Sequence, residues 1–317
     1  MEANVESREW RLVASVALLL VACVALVGSV AATWVDRVLL DTDTFVAAIE
    51  PLARDEGVRA LVSERVSSEI IVRADLETRL GALLPGVLAP LGERLVSEFE
   101  RYVTESVEGV VHSDRFGSIW LDAARIWHGS FAEFVRGGSD VFLDFEGGAM
   151  RIALAPYLEV VEERLDEPLL APVIGLVLGP ARDARITLVE SPALEQQVEL
   201  VRWLYRMREA LWAIAALAFV AGIALAPDRP LAVAGAGFGM LLGGVAPTVW
   251  FVAQRVTAER IFGRLVGATP DSSRAAYDAL AVPAREWFLV VAGAGLVVAG
   301  TGVLLARLRA NRSASEA

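Results

Sequence analysis

The stretch Leu12–Ala32, LVASVALLLVACVALVGSVAA, carries no charge and is apolar almost throughout. A bilayer core about 30 Å thick is crossed by a helix of about 20 such residues, so this stretch reads as a membrane span. Three later stretches repeat the pattern: Ala210–Ala226 (ALWAIAALAFVAGIALA), Leu231–Ala253 (LAVAGAGFGMLLGGVAPTVWFVA) and Trp287–Ala306 (WFLVVAGAGLVVAGTGVLLA). Trp34, Trp203, Trp250 and Trp287 stand at their ends, where interfacial anchors belong. Only Pro227, Asp228, Arg229 and Pro230 separate the second and third stretches, which predicts a tight antiparallel hairpin.

The expected fold class is therefore mainly α. Four transmembrane helices, 12–32, 210–226, 231–253 and 287–306, carry a mostly helical extracytoplasmic domain, 33–207, that contains a small β-hairpin or three-stranded element. A second extracytoplasmic loop spans 254–286. The arm 1–11 and the tail 307–317 are expected in the cytoplasm of a multi-pass protein of the cell membrane. Orientation rests on Arg8 and Arg11 before the first span, Asp36, Asp41 and Asp43 after it, Arg229 in the short turn, and Arg307, Arg309 and Arg312 at the end. Against it stand Arg255, Arg260, Arg264, Arg274 and Arg285 in the second outer loop.

Composition agrees with a mixed architecture. Over 317 residues, 55% are hydrophobic and 22% charged, too apolar for an ordinary soluble enzyme and too charged for a chain wholly embedded in lipid. Every basic residue is arginine, which removes chemistry that needs a phosphate-loop or Schiff-base lysine. Net charge is −11, the opposite of the basic footprint of nucleic-acid binding, so no nucleic-acid partner is expected. The single Cys23 lies inside the first span and rules out a disulfide within the chain. Leu20-Val21-Ala22-Cys23 also has the form of a lipobox, but Val24 to Ala32 continues as membrane where a lipoprotein turns polar.

Within 33–207 the pattern is helical for most of its length. Val38–Ala53 predicts a short helix capped by Asp43 or Thr44, and Asp55 opens another in which Val58, Leu61, Val62, Val66, Ile70 and Ile71 recur at helical spacing. A further helical piece is expected over Asp75–Leu84. In Leu91–Val111, Leu91, Leu95, Phe99, Tyr102, Val103, Val107 and Val110 share a face. Ser113 or Asp114 is expected to cap the next helix, whose stripe of Phe116, Ile119, Trp120, Ala123, Trp127, Phe131 and Phe134 forms the domain core.

At Gly137 and Gly138 the period changes. VFLDF (Val141–Phe145) and AMRIAL (Ala149–Leu154) alternate around a glycine turn, a hairpin signal, and Arg185–Val189 reads as a third strand. Tyr157–Leu165 returns to helix and Leu169–Leu178 is apolar between Gly and Pro. From Ser191 nothing breaks the helix before Gly222, so it is expected to run unbroken into the second span and couple domain to membrane. In the last loop Ile261, Phe262, Leu265 and Val266 have amphipathic spacing that suits packing under the domain.

Asp41-Thr42-Asp43-Thr44-Phe45-Val46, Pro51-Leu52-Ala53, the Phe116, Trp120, His128 helix, the Val141–Leu154 hairpin and the three clustered C-terminal spans together resemble a family of uncharacterised actinobacterial integral membrane proteins. The resemblance implies the same four-span architecture, with a large extracytoplasmic domain between spans one and two. It brings no activity.

The remaining motifs read as structure. VLLDTDTF imitates the aspartate motif of haloacid-dehalogenase-type phosphatases, but Phe45 stands where Thr or Val is needed and no βαβ pattern follows; capping by Asp43 is the better account. His112 and His128 are the only histidines and lie about four turns apart along a helix, too far to share a metal. A hydrogen-bonded core role is expected for His128, and a cap for His112 with Asp114. Glu159, Glu162, Glu163, Asp166 and Glu167 follow helical spacing without the loop and glycine of a calcium site. Gly235, Gly237 and Gly239, like Gly293 and Gly295, sit inside apolar spans, and Gly239 with Gly243 in small-xxx-small spacing is expected to let spans three and four pack closely. No ionisable residue falls in a span core, where ion pathways mark themselves. The sequence thus points to no catalytic residues, metal or cofactor. It points to a non-enzymatic protein of the envelope that meets the lipid bilayer and an envelope or membrane protein partner. An accessory subunit of a transporter or signalling system is the alternative, and an envelope hydrolase would need a carboxylate pair that nothing in the sequence selects.

Overall fold

A computed structural model describes residues 2–75, 78, 89–137, 143–146, 149–153, 185–190 and 192–315. Among them are eight α-helices: α1 (Glu2–Trp34), α2 (Thr42–Ile49), α3 (Glu56–Ala74), α4 (Ala89–Val111), α5 (Phe116–Arg136), α6 (Pro192–Leu225), α7 (Arg229–Val266) and α8 (Pro270–Ser315). A π-helical turn, Val35–Leu39, extends α1, and a 3-10 turn, Glu50–Arg54, follows α2. The expected helices over Asp75–Leu84 and Tyr157–Leu165, the apolar piece Leu169–Leu178 and the Glu159–Glu167 cluster lie outside the described residues. Strands β1 (Leu143–Glu146), β2 (Ala149–Ala153) and β3 (Arg185–Glu190) pair antiparallel in the order β1-β2-β3, with Phe145 opposite Met150 and a register shift at Met150/Arg151.

Four helices are long and apolar enough to cross a membrane: Arg8–Leu39, Gln196–Leu225, Arg229–Arg264 and Pro270–Arg312. Each is longer than its hydrophobic core, the backbone staying helical where the side chains turn polar, in α8 even through Pro283. The segment 254–286 is accordingly helical except at Gly267, Ala268 and Thr269. The chain divides into two compact units, Met1–Asp41 with Gln197–Arg255 and Asp278–Ala317, and Thr42–Gln196 with Val256–Tyr277.

In the first unit the usual size order is inverted. Val24, Leu217, Val220, Val290 and Val297 point outward, at 68 to 73% exposure, while Ala22, Ser29, Ala32, Ala215, Ala236 and Ala284 are buried. Large apolar groups suit a lipid surroundings, and small ones let helix backbones approach where no hydrophobic effect drives association. A Cβ on Gly237 would lie 2.2 Å from Ala299 N, one on Gly244 2.4 Å from Phe288 O, and one on Gly302 2.3 Å from Ala234 N, so α7 and α8 meet backbone to backbone. Gly239 and Gly243 correct an expectation: they face Cys23 and Val27 of α1, and it is Gly237 and Gly244, seven residues apart, that face α8. Small-xxx-small spacing marks a closely packed face but does not name the partner helix. Gly235 and Gly293 have open space around them.

Polar contacts pin the helices of this unit. Ser15 Oγ donates to Gly222 O at 2.7 Å. Trp34 Nε1 donates to Leu280 O at 2.9 Å, and its ring meets Phe251 edge-on with centroids 5.6 Å apart. Arg208 pairs with Asp36 and Arg255 with Asp278.

The second unit is built on a core of Ile49, Leu52, Val58, Ala268 and Ala276, flanked by Phe45, Val62, Trp120 and Phe262. It therefore joins the chain after α1 to the α7–α8 connection. Two expected caps are corrected. Helix α2 begins at Thr42, so Asp43 sits inside its first turn and reaches across to Arg125 of α5. Helix α5 has no side-chain cap, its N-cap position being Arg115 in helical conformation (φ −73°, ψ −24°). Ser113 Oγ instead donates back to Val110 O at 2.7 Å, because the α4–α5 connection is a helical turn that leaves Ser113 nearer the carbonyls behind it. Asp55 does cap α3, accepting from Val58 N at 3.0 Å. Gly137, in left-handed conformation (φ 95°), ends α5 by donating to Phe134 O at 3.2 Å.

Candidate functional site

Those sequence motifs weighed for chemistry that fall among the described residues take the following places. Asp43 is largely exposed at the head of a helix and held by Arg125. His128 is 1% exposed, its Nδ1 lies 3.2 Å from Thr42 Oγ1, and its ring stacks on Phe45 with centroids 4.1 Å apart. His112 is exposed at the end of α4, its Nδ1 3.0 Å from Glu108 O rather than near Asp114. Cys23 of α1 packs against Gly239 of α7. Among the described residues no group of three His, Cys, Asp or Glu side chains could hold a metal ion.

Two arrangements in the second unit were not legible beforehand. The first is a polar lock around Asp55, which is 6% exposed. Besides Val58 N, its carboxylate accepts from Thr269 N at 3.2 Å and from the Thr269 hydroxyl. Thr269 precedes Pro270, the first residue of α8, so one carboxylate serves the N-termini of two helices 214 positions apart in sequence. The backbones close in at the same place: a Cβ on Gly57 would lie 2.2 Å from Gly267 O, and Gly267 itself takes φ 69°. Burial pushes the Asp55 carboxyl up, but hydrogen bonds from Ser272, Thr269 and Val58 outweigh it and hold the pKa below its ordinary value of 3.8. Thr269-Pro270 is a helix-start signal, but nothing local tells that its acceptor is Asp55.

The second is an open cleft of about 440 Å³ between the 3-10 turn, the start of α3 and the start of α5. Glu50, Arg54, Arg59, Asp114, Gly117 and Ser118 line it. Glu50 and Arg54 neutralise each other at 2.9 Å. Arg59 is fixed differently: Nε donates to Ala53 O at 3.0 Å, and the guanidinium carbon lies 5.7 Å from the Phe116 ring centroid. A backbone bond and an aromatic face thus set the fork, while its terminal nitrogens have no acceptor among the described residues. Asp114 lines the same cleft without pairing to Arg59. Ser118 Oγ donates to Arg115 O at 2.8 Å, and the uncapped first turn of α5 leaves amide donors at Gly117 and Ser118.

No protein-family model matches the chain, and no curated protein or solved structure matches it either.

Proposed function

We propose that the protein is a non-enzymatic envelope interaction or scaffold protein, fixed in the cell membrane by four spans and acting through its 33–207 domain on the outer side. Both termini lie in the cytoplasm, and the outer domain is mostly helical with a small β element. The acidic character of the domain and the arginines before the first span support this orientation. Among the arginines of the 254–286 segment, Arg255 is paired with Asp278, and Arg274 with Glu259 and Asp271.

The observation that carries the reading is the face of α4. Leu91, Leu95 and Tyr102, at helical spacing on one side, are 50%, 49% and 42% exposed. Apolar side chains grouped in this way mark a surface that another protein covers. Photo-reactive residues placed at Leu91 and Leu95 of the full chain in cells are expected to attach one dominant membrane or envelope protein. Adducts of lipid or glycan alone, or none, would overturn the reading.

A further inference from the structure

We propose that the cleft between the 3-10 turn, α3 and α5 is a binding site for a small zwitterion of the peptide type, whose carboxylate meets Arg59 and whose ammonium meets Asp114. The inference is independent of the protein-partner reading, and the two fail separately. Its basis is the state of the charges. Four ionised groups line the cleft, and two of them, Glu50 and Arg54, satisfy one another. The other two, one of each sign, have no ion-pair partner among the described residues and line a single cavity. A guanidinium in plain solvent gains little from being held, yet Arg59 is fixed at Nε and against Phe116 with its two-pronged edge left free. That is the preorganised form in which arginine receives a planar carboxylate through two parallel bonds. The amides at the start of α5 add donors to the same anion.

Asp114 decides the class of ligand. A phosphate group of two negative charges would be repelled by it, whereas a molecule with carboxylate at one end and ammonium at the other satisfies both walls. The volume, about 440 Å³, exceeds what one amino acid fills and lies within the range of about 300–1,000 Å³ usual for ligand clefts.

The test uses the full chain in detergent and calorimetric titration with glycylglycine. Binding is expected, and it is expected to weaken at least about tenfold with acetyl-glycylglycine, which lacks the ammonium, and with glycylglycinamide, which lacks the carboxylate, since each loses one charge-assisted contact. Arg59→Gln and Asp114→Asn should each impose the same loss. Asp114 is exposed and has no hydrogen-bond partner among the described residues, so Asp114→Asn folds and decides the matter even if Arg59→Gln does not. Absence of binding, equal binding of the blocked peptides, or binding of inorganic phosphate to the unsubstituted protein as tight as that of glycylglycine would overturn the proposal.

Discussion

Gly244→Leu is expected to leave no stably folded membrane unit, while Gly293→Leu one helix away is tolerated. At Gly244 the added Cβ would meet Phe288 O at 2.4 Å and Ala292 N at 2.6 Å, both main-chain atoms of α8. Backbone cannot swing aside as a side chain does, so α7 and α8 would have to separate along their whole seam and lose the contacts at Gly237 and Gly302 as well. Overpacking of an ordinary core costs about 1–3 kcal/mol, and a backbone clash of this kind belongs at or above that limit. At Gly293 nothing stands within 4 Å of the added carbon, and Leu is a better helix former than Gly. Thermal unfolding of the two purified variants in detergent checks the pair. Equal midpoints for Gly244→Leu and the unsubstituted protein would show that the two helices do not meet at this seam.

Asp55→Ala is expected to destabilise the second unit by about 3 kcal/mol, since an N-cap is worth about 1 kcal/mol and each buried donor left without its charged acceptor costs about 1–3 kcal/mol. The loss falls on two helix starts at once, with Val58 N and Thr269 N both orphaned. Asp55→Asn separates charge from shape. Because hydrogen bonding holds the folded pKa below the ordinary 3.8, the unfolded chain takes up the proton first as pH falls. The stability due to ionised Asp55 is therefore complete above 3.8 and drains away below it, through the folded pKa. The difference in unfolding midpoint between the natural protein and Asp55→Asn should be constant at neutral pH and shrink once pH drops under that value. A difference independent of pH would mean that the carboxylate's charge is not what the two helix ends use.

The candidate site was legible only in part. Asp55 could be read as a cap because the signal is local: a short acceptor side chain just ahead of an apolar helical period. The core role of His128 was equally readable from its place on the aromatic stripe. Arg59 was not, because its neighbours come from three elements and its worth lies in donors left over after Ala53 and Phe116 have taken their share. Asp114 was read as a helix cap, since a capping residue and an unpaired wall of a cleft look alike until the backbone angles of the α4–α5 turn are known.

By itself the sequence determined what depends on summed composition along a short window. Four helices long and apolar enough to cross a membrane, the short break between α6 and α7 at 226–228 and the unbroken run of α6 into its apolar stretch all follow from hydropathy and from the placing of Pro and Gly. Tertiary structure alone decided which surfaces meet. Gly239 and Gly243 turn to α1 rather than α8, and Asp55 finds Thr269 across 214 positions, because helical spacing tells which residues share a face but carries no information about which helix lies opposite it.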